Sequence, residues 1–324
     1  MPTSTKTISK SITPKTLLSS GHRACAGCGQ LIAARAVADA LGQNIIIANA
    51  TGCLEVTTSP YPESAWGLPW IHSLFENPAA IASGISAALN YKQHKKLLSN
   101  ALSKKISQIP NPKSQIPNVI AQGGDGSTFD IGFGLISGMW ERGEDILYIC
   151  YDNEAYANTG VQASGATPAG ARTTTTPVGV ENPLGSSLRK KDMISIALAH
   201  GVKYVAETTV GFLNDITVKV KKAMEIKGPK YIQILVPCIP GWGIDPGQTI
   251  KLGKLAAQTG LYPSFEYIDG RLTSAMRLPT PAPSIEDYLK AQNRFSHLTK
   301  SEAGKKQIAE MKKVVEENVR KYGL

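Results

Sequence analysis

Apolar positions along the chain switch repeatedly between two periods. Leu31, Ile32, Val37 and Leu41 follow helical spacing, with Gly42 as the stop. A short apolar run at 44–49 (NIIIAN) then has the form of a buried strand. A second helix is expected to open at Pro78 and run to about Leu89, with Ile81, Ile85 and Leu89 on one face. Strand 119–122, a glycine-rich turn, helix 130–142 and strand 145–151 (DILYICY) come next. A polar loop over 154–187 follows, and then two helix–strand units at 192–205 and 210–236. This alternation predicts an α/β fold with a mostly parallel sheet flanked by helices. No internal repeat is visible.

After Gly241 the pattern changes. A short helix, a hairpin at 265–277 with its turn at Asp269-Gly270, a Pro-rich spacer and a charged helix from about Lys300 complete the chain. This tail reads as too thin for a core of its own, to be packed on the main domain or on a neighbouring subunit. The organisation expected is therefore an N-terminal arm (1–20), a main domain (21–243) with a basic insertion at about 92–117, and a C-terminal extension (244–324) ending in a helix.

Composition narrows the class. Of 324 residues, 42% are apolar and 19% charged, the balance of a globular chain rather than a disordered one. No run reaches the roughly 18 apolar residues of a membrane-spanning helix. The polar, Thr/Ser/Lys-rich first twenty residues lack the apolar stretch of a secretory signal. No membrane association and a cytoplasmic location are the expectation. Thirty-five basic against 25 acidic residues give a net charge of +10. Six lysines and no acids fall between Lys92 and Lys113, but no aromatics are interleaved to stack on bases. The segment reads as a solvated excursion, and nucleic acid is not an expected partner.

Candidate chemistry begins at Gln122-Gly123-Gly124-Asp125-Gly126-Ser127, between a strand and a helix. Three glycines permit close backbone approach, and a helix start offers free N–H groups to an anion. The G-x-G-x-x-G spacing of a dinucleotide site is absent. Taken alone, the segment is equally a plain strand-to-helix turn capped by Asp125. Asn153, however, follows the next strand, and neighbouring parallel strands bring such residues to one edge, where ligands bind. A carboxylate, an amide oxygen and a backbone carbonyl form part of an oxygen shell for Mg²⁺, which diphosphate oxygens and water would complete. The pair resembles the thiamine-diphosphate signature, G-D-G followed by Asn after some two dozen residues; twenty-six intervene here.

Five cysteines are present: Cys25, Cys28, Cys53, Cys150 and Cys238. Cys25 and Cys28 form a C-x-x-C in a glycine-rich loop, while Cys53 and Cys238 follow strands. Cys150 sits within an apolar strand and reads as a small core residue. Disulfides do not suit a chain without a secretory signal. Four converging thiolates could hold zinc or a [4Fe–4S] cluster, and spacing does not separate the two. A neighbouring thiamine site favours the cluster, because decarboxylating a 2-oxo acid leaves two electrons that need a one-electron carrier.

Together the blocks GHRACAGCG, ATGCLEV, PWIHSLFENPAAIASGI, GGDGSTFDIG and YDNEAYANTG, in one order from about residue 21 to 242, resemble the β, thiamine-diphosphate-binding subunit of the 2-oxoacid:acceptor oxidoreductase family, which includes pyruvate:ferredoxin oxidoreductase. The resemblance implies that Cys25, Cys28, Cys53 and Cys238 hold a [4Fe–4S] cluster. It implies that Asp125, Asn153 and the Ala155 carbonyl bind Mg²⁺, and that Gly124, Gly126, Ser127 and Cys53 border the cofactor. Asn158 and Thr159 would face the thiazolium and the substrate as the catalytic pair. Coenzyme A would be the co-substrate and ferredoxin the acceptor, with pyruvate converted to acetyl-CoA and CO2. Partners would be an α subunit, supplying the glutamate this chain lacks opposite the aminopyrimidine, and γ and ferredoxin-like δ subunits or domains.

Sister chemistry on branched-chain 2-oxo acids or oxalate is the second reading, and a zinc-stabilised nucleotide-binding module without catalysis is the third. Gln30 stands where single-chain relatives can carry an acid and is given no catalytic role. His72 and Glu76 either line the cleft or serve packing and capping. The Thr173–Thr176 run reads as a hydrogen-bonded loop.

Overall fold

The computed structural model describes residues 16–60, 62–102 and 116–324. Most of the expected arm (1–15) and residues 103–115 of the expected basic insertion lie outside the described residues.

One eight-stranded sheet organises the chain, in the order β2-β1-β3-β4-β6-β5-β7-β8. Its strands are β1 (Ile45–Ala50), β2 (Trp70–Ser73), β3 (Asn118–Gly124), β4 (Leu147–Asp152), β5 (Tyr204–Thr209), β6 (Lys230–Leu235), β7 (Phe265–Ile268) and β8 (Arg271–Ala275). The first six are mutually parallel; β7 joins β5 antiparallel, and β8 pairs with β7. Every residue of β4, β5 and β6 is buried, as expected of parallel strands covered on both faces.

Alternation along the strands sorts side chains into two layers. On one face Ile149, Tyr151, Ile232 and Ile234 pack under helices α1 (Gly29–Leu41) and α6 (Leu213–Glu225). On the other, Tyr148, Cys150 and Tyr231 pack under α3 (Pro78–Leu102), α4 (Phe133–Glu141) and α5 (Met193–Ala199). Gly42 ends α1 with φ +74°, as its position predicts. Cys150 is fully buried in the second layer, far from any loop role. Leu17 and Leu18 pack into the first layer, where Leu18 bridges to Trp66.

Four elements depart from the sequence reading. Helix α3 continues to Leu102 instead of ending near Leu89; over 90–95 it is mostly solvent-facing, so no apolar period continues there. The helix expected at 130 starts earlier, with a wide π turn over Gly126–Ile131 that leads into α4. The edge strand β2 and the short helix α2 (Cys53–Thr58) have no sequence counterpart.

The C-terminal extension is more substantial than its sequence suggests. Its hairpin turns at Asp269 and Gly270, both at positive φ, and adds two strands to the main sheet. Helices α8 (Thr249–Gln258), α9 (Ile285–Lys290) and α10 (Glu302–Tyr322) enclose an apolar cluster with Trp242, Leu252, Tyr288, Phe295 and Met311, continuous with Leu235 of β6. Among the described residues no helix is long and apolar enough to cross a membrane.

Candidate functional site

Strands β1, β3, β4 and β6 are consecutive neighbours, so their carboxyl ends open on one edge of the sheet. That edge receives Thr51-Gly52-Cys53 from β1, Gly124-Asp125-Gly126 from β3, Asn153 from β4 and Pro237-Cys238 from β6. The first three segments wall a cleft together with Phe75, Ala155, Asn158 and Thr159. The structure thus brings the sequence-nominated residues Gly124, Asp125, Gly126, Asn153, Ala155, Asn158, Thr159 and Cys53 to one place. Ser127, on the next turn, is buried beside it.

Asp125 is completely buried. Its Oδ1 accepts from the Asn153 N–H at 3.2 Å and its Oδ2 from the Ser164 hydroxyl at 2.5 Å. Burial, reinforced by the adjacent Asp152 carboxylate, pushes the Asp125 carboxyl well above its ordinary range. Asn153 Oδ1 accepts from the Ala155 N–H at 3.2 Å. The turn that carries Asp125 cannot tolerate a side chain at Gly126, because a Cβ there would lie 2.3 Å from the Tyr156 ring. Tyr156 in turn stacks on Phe75 (5.7 Å between centroids) and donates to Asp130 Oδ2 at 3.1 Å. Ser127 Oγ is buried without a hydrogen bond of good geometry, although the Tyr148 hydroxyl lies nearby.

The four loop cysteines, Cys25, Cys28, Cys53 and Cys238, line a second cavity of about 70 Å³. It shares Gln30, Cys53, Leu54, Asn153 and Ala157 with the cleft, so only one layer of side chains separates the two spaces. Gly29 makes this possible: a Cβ there would sit 2.8 Å from the Pro237 carbonyl oxygen, so only glycine lets α1 bring Cys28 against the end of β6. All four thiols are free. Burial, with the other thiols adding to it, raises Cys53 to about 12. Burial likewise raises Cys238 to about 11. Among the described residues no three His, Cys, Asp or Glu side chains form a group that could hold a metal ion as they stand. A tetrahedral zinc site, with its roughly 2.3 Å Zn–S bonds, would need the sulfurs drawn onto one point.

His72 and Glu76 do not line the cleft; Phe75 does. His72 packs on Trp70 and faces Glu55, with its ring Nδ1 3.5 Å from the carboxylate. The Thr173–Thr176 run is a self-bonded loop, with the two terminal hydroxyls 2.8 Å apart. Thr159 Oγ1 donates to Gln162 at 2.5 Å and sits exposed at the mouth. Sequence reasoning missed Phe75, Tyr156, Ser164 and the wall position of Gln30. Gln30 opens α1 just after the C-x-x-C pair, and Phe75 and Tyr156 lie inside the blocks PWIHSLFENPAAIASGI and YDNEAYANTG, whose motif does not single them out. Ser164 arrives from a loop that no local pattern marks.

Behind the cleft lies a buried ionic cluster. Lys190 Nζ donates to Asp152 Oδ2 at 2.5 Å and to Glu154 Oε1 at 2.8 Å. Gln233 Nε2 links Asp152 (3.3 Å) to Glu207 (3.0 Å). Burial, only partly offset by Lys190 and reinforced by Asp152, lifts the Glu207 carboxyl to about 8. A carboxyl raised from 4.5 stabilises the fold fully below pH 4.5, and that contribution is lost as pH rises through 8. Glu207→Gln is therefore expected to flatten the fall in melting temperature between about pH 5 and 9. The difference amounts to at most about 5 kcal/mol, at about 1.4 kcal/mol per pKa unit. Melting curves of both proteins at the two pH values check this, and parallel slopes would refute it. Asp125 and Asp152, raised in the same direction, leave a residual slope.

Residues 50–234 match the family model described as thiamine pyrophosphate enzyme, C-terminal TPP binding domain. The chain is 46% identical over 311 residues to pyruvate synthase subunit PorB of Methanosarcina barkeri, covering 96% of this chain and 98% of that one. It is 47% identical to the PorB subunit of Methanocaldococcus jannaschii, covering 94% and 95%. Identity to ketoisovalerate oxidoreductase subunit VorB of Pyrococcus abyssi is 40%, covering 87% and 86%. A solved 2-oxoglutarate:ferredoxin oxidoreductase from Magnetococcus marinus shares the fold, with a TM-score of 0.54 at 21% identity over 87% of this chain and 89% of that one.

Proposed function

The chain belongs to the pyruvate synthase PorB family of thiamine pyrophosphate enzymes, and from that premise we propose that it is the β, cofactor-binding subunit of a pyruvate:ferredoxin oxidoreductase. The proposed reaction converts pyruvate, coenzyme A and oxidised ferredoxin to acetyl-CoA, CO2 and reduced ferredoxin. The observation that carries this reading is the shared wall. A cleft built around Asp125 and Asn153 and a cavity lined by four thiols have Gln30, Cys53 and Asn153 in common.

The residues fit the groups proposed for them. A completely buried carboxylate is costly unless a cation compensates it, and Lys190 is already paired with Asp152 and Glu154. Asp125, the Asn153 side chain and the Ala155 carbonyl would hold Mg²⁺ there, with the Gly124 and Gly126 backbone toward a diphosphate and Ser127 buried beside them. Cys25, Cys28, Cys53 and Cys238 would hold a [4Fe–4S] cluster, which accepts four thiolates set wider than a single ion allows. When bound, thiamine diphosphate supplies a thiazolium carbon that adds to the ketone of a 2-oxo acid and accepts the electrons left by CO2 loss. Within this chain, Asn158 and Thr159 face the substrate from the mouth, Phe75 and Tyr156 exclude water from one side, and Gln30 spans the path between the two spaces.

A partner subunit completes the site in this reading. The cleft encloses only about 40 Å³, far below the roughly 300–1,000 Å³ of closed ligand pockets. Exposed Val56, Leu74 and Ile131 come from the segments that also supply Cys53, Phe75 and Gly126, and they offer a partner an apolar rim. An α subunit on this rim would bring the missing glutamate, with γ and ferredoxin-like δ components carrying electrons onward. Coenzyme A would enter through the assembled complex.

Similarity to a ketoisovalerate oxidoreductase subunit keeps branched-chain 2-oxo acids as the second reading. The test is dye reduction by the anaerobically purified complex, given coenzyme A with pyruvate, 2-oxoisovalerate or 2-oxoglutarate. The proposal expects the highest kcat/KM with pyruvate; a preference for 2-oxoisovalerate selects the second reading, and no 2-oxo acid turnover refutes both.

A further inference from the structure

Glu154 stands between Asn153 and Ala155, the two residues that face Asp125 across the cleft. It has φ +63°, a left-handed backbone that a non-glycine residue adopts only under constraint. Asn153 and Ala155 line the cleft, whereas Glu154 lines a separate cavity of about 390 Å³ behind it. Every polar group of Glu154 is engaged. Its N–H donates to Asp152 Oδ1 at 3.1 Å, and its carbonyl accepts from Thr167 Oγ1 at 2.7 Å. Its carboxylate accepts from Lys190 at 2.8 Å and from Arg294 at 2.6 Å.

Arg294 belongs to the C-terminal extension and is itself only 4% exposed. Its Nε donates to Gln292 at 2.9 Å, and its carbonyl accepts from the Arg172 N–H at 3.0 Å. Its guanidinium lies 3.8 Å over the centroid of the Trp242 ring. Trp242 Nε1 in turn donates to the Asn153 carbonyl at 2.8 Å. One guanidinium therefore grips this turn twice, directly at Glu154 and through Trp242 at Asn153. Trp242 closes the short helix α7 (Ile239–Trp242) that follows Cys238, so the same contact ties the cysteine strap to the turn.

We propose that Arg294 is a positioning residue of the metal–diphosphate site: it holds Glu154 in the left-handed conformation that keeps Asn153 and Ala155 against Asp125. The inference rests on the reading of Asp125, Asn153 and Ala155 as the Mg²⁺ site. It gives the C-terminal extension a task in cofactor binding, although no residue of that extension enters the cleft.

The experiment measures, by equilibrium dialysis of the purified complex, the Mg²⁺ concentration that half-saturates thiamine diphosphate binding. Arg294→Ala should raise it about tenfold to a hundredfold, the range for removing a residue that orients a metal ligand. Added guanidinium ion, entering from the cavity that Arg294 lines, should restore most of the loss, which a merely destabilised fold would not do. Glu154→Gln, which keeps the shape and removes the charge, should shift the value in the same direction and guards against an Arg294→Ala variant that does not fold. Arg189→Ala, which breaks the exposed pair with Glu317 on the same cavity, should leave the value unchanged. An unchanged Mg²⁺ requirement in both Arg294→Ala and Glu154→Gln overturns the inference. If Asp125→Ala also leaves binding intact, the metal-site reading itself fails; if it abolishes binding, only the role of Arg294 is lost.

Discussion

In an Asp125→Ala variant, thiamine diphosphate with Mg²⁺ should no longer raise the melting temperature, and its binding should weaken by more than about a hundredfold. That exceeds the roughly tenfold-to-hundredfold loss for residues that only support a metal ligand. Asp125 is fully buried, its carboxyl is raised by burial and by Asp152, and its partners are one hydroxyl and one backbone N–H. Without a cation this arrangement costs stability; with one it provides the strongest ligand of the cleft. Alanine removes both effects. The cofactor-free variant should therefore melt at or above the native temperature, while the ligand-linked gain disappears, a gain of about 2.7 kcal/mol at a hundredfold excess over Kd. Thermal melts with and without cofactor measure both. A variant that keeps the full cofactor-induced shift would contradict the assignment.

Cys238→Ala is expected to abolish the iron–sulfur cluster, and with it 2-oxo acid-dependent dye reduction, while thiamine diphosphate still binds. Cys238 lines the cysteine cavity and not the cleft, whereas Cys53 lines both. Cys53→Ala should accordingly lose iron and also weaken cofactor binding. Cys150→Ala, altered in the opposite core layer, should retain its iron. Because burial lifts the Cys53 and Cys238 thiols to about 12 and 11, cluster assembly must release protons and should become more favourable as pH rises. Iron, sulfide and thiamine analysis of the three variants provides the check. Full iron in Cys238→Ala would remove this residue from the ligand set.

Much of this architecture is legible in the sequence for identifiable reasons. Strands β1, β3, β4 and β6 are largely buried on both faces and carry apolar runs, and the residues at their carboxyl ends inherit a common edge from the parallel order. That is why Asp125, Asn153, Cys53 and Cys238 can be gathered from sequence positions far apart. Strand β5, which ends in Glu207-Thr208-Thr209, falls mostly outside the unit expected at 192–205. Edge strand β2 is only four residues long, with the two central ones exposed, and carries no such signal. Residues 90–95 of helix α3 are mostly exposed and likewise carry none. Ser164, Lys190 and Arg294 reach the site through loops and the extension, by tertiary contacts that no local period encodes. The apolar residues of the extension are spread over several short elements, so the core they share is invisible until those elements pack.

In the assembled enzyme a cluster and a magnesium-anchored cofactor should stand side by side at one sheet edge. The most direct measurement is anomalous diffraction at the iron edge from anaerobically grown crystals of the complex. It should show iron enclosed by the sulfurs of Cys25, Cys28, Cys53 and Cys238, with a diphosphate in the adjoining cleft at Asp125. A zinc ion in place of iron, or iron held elsewhere while these thiols stay free, would contradict it.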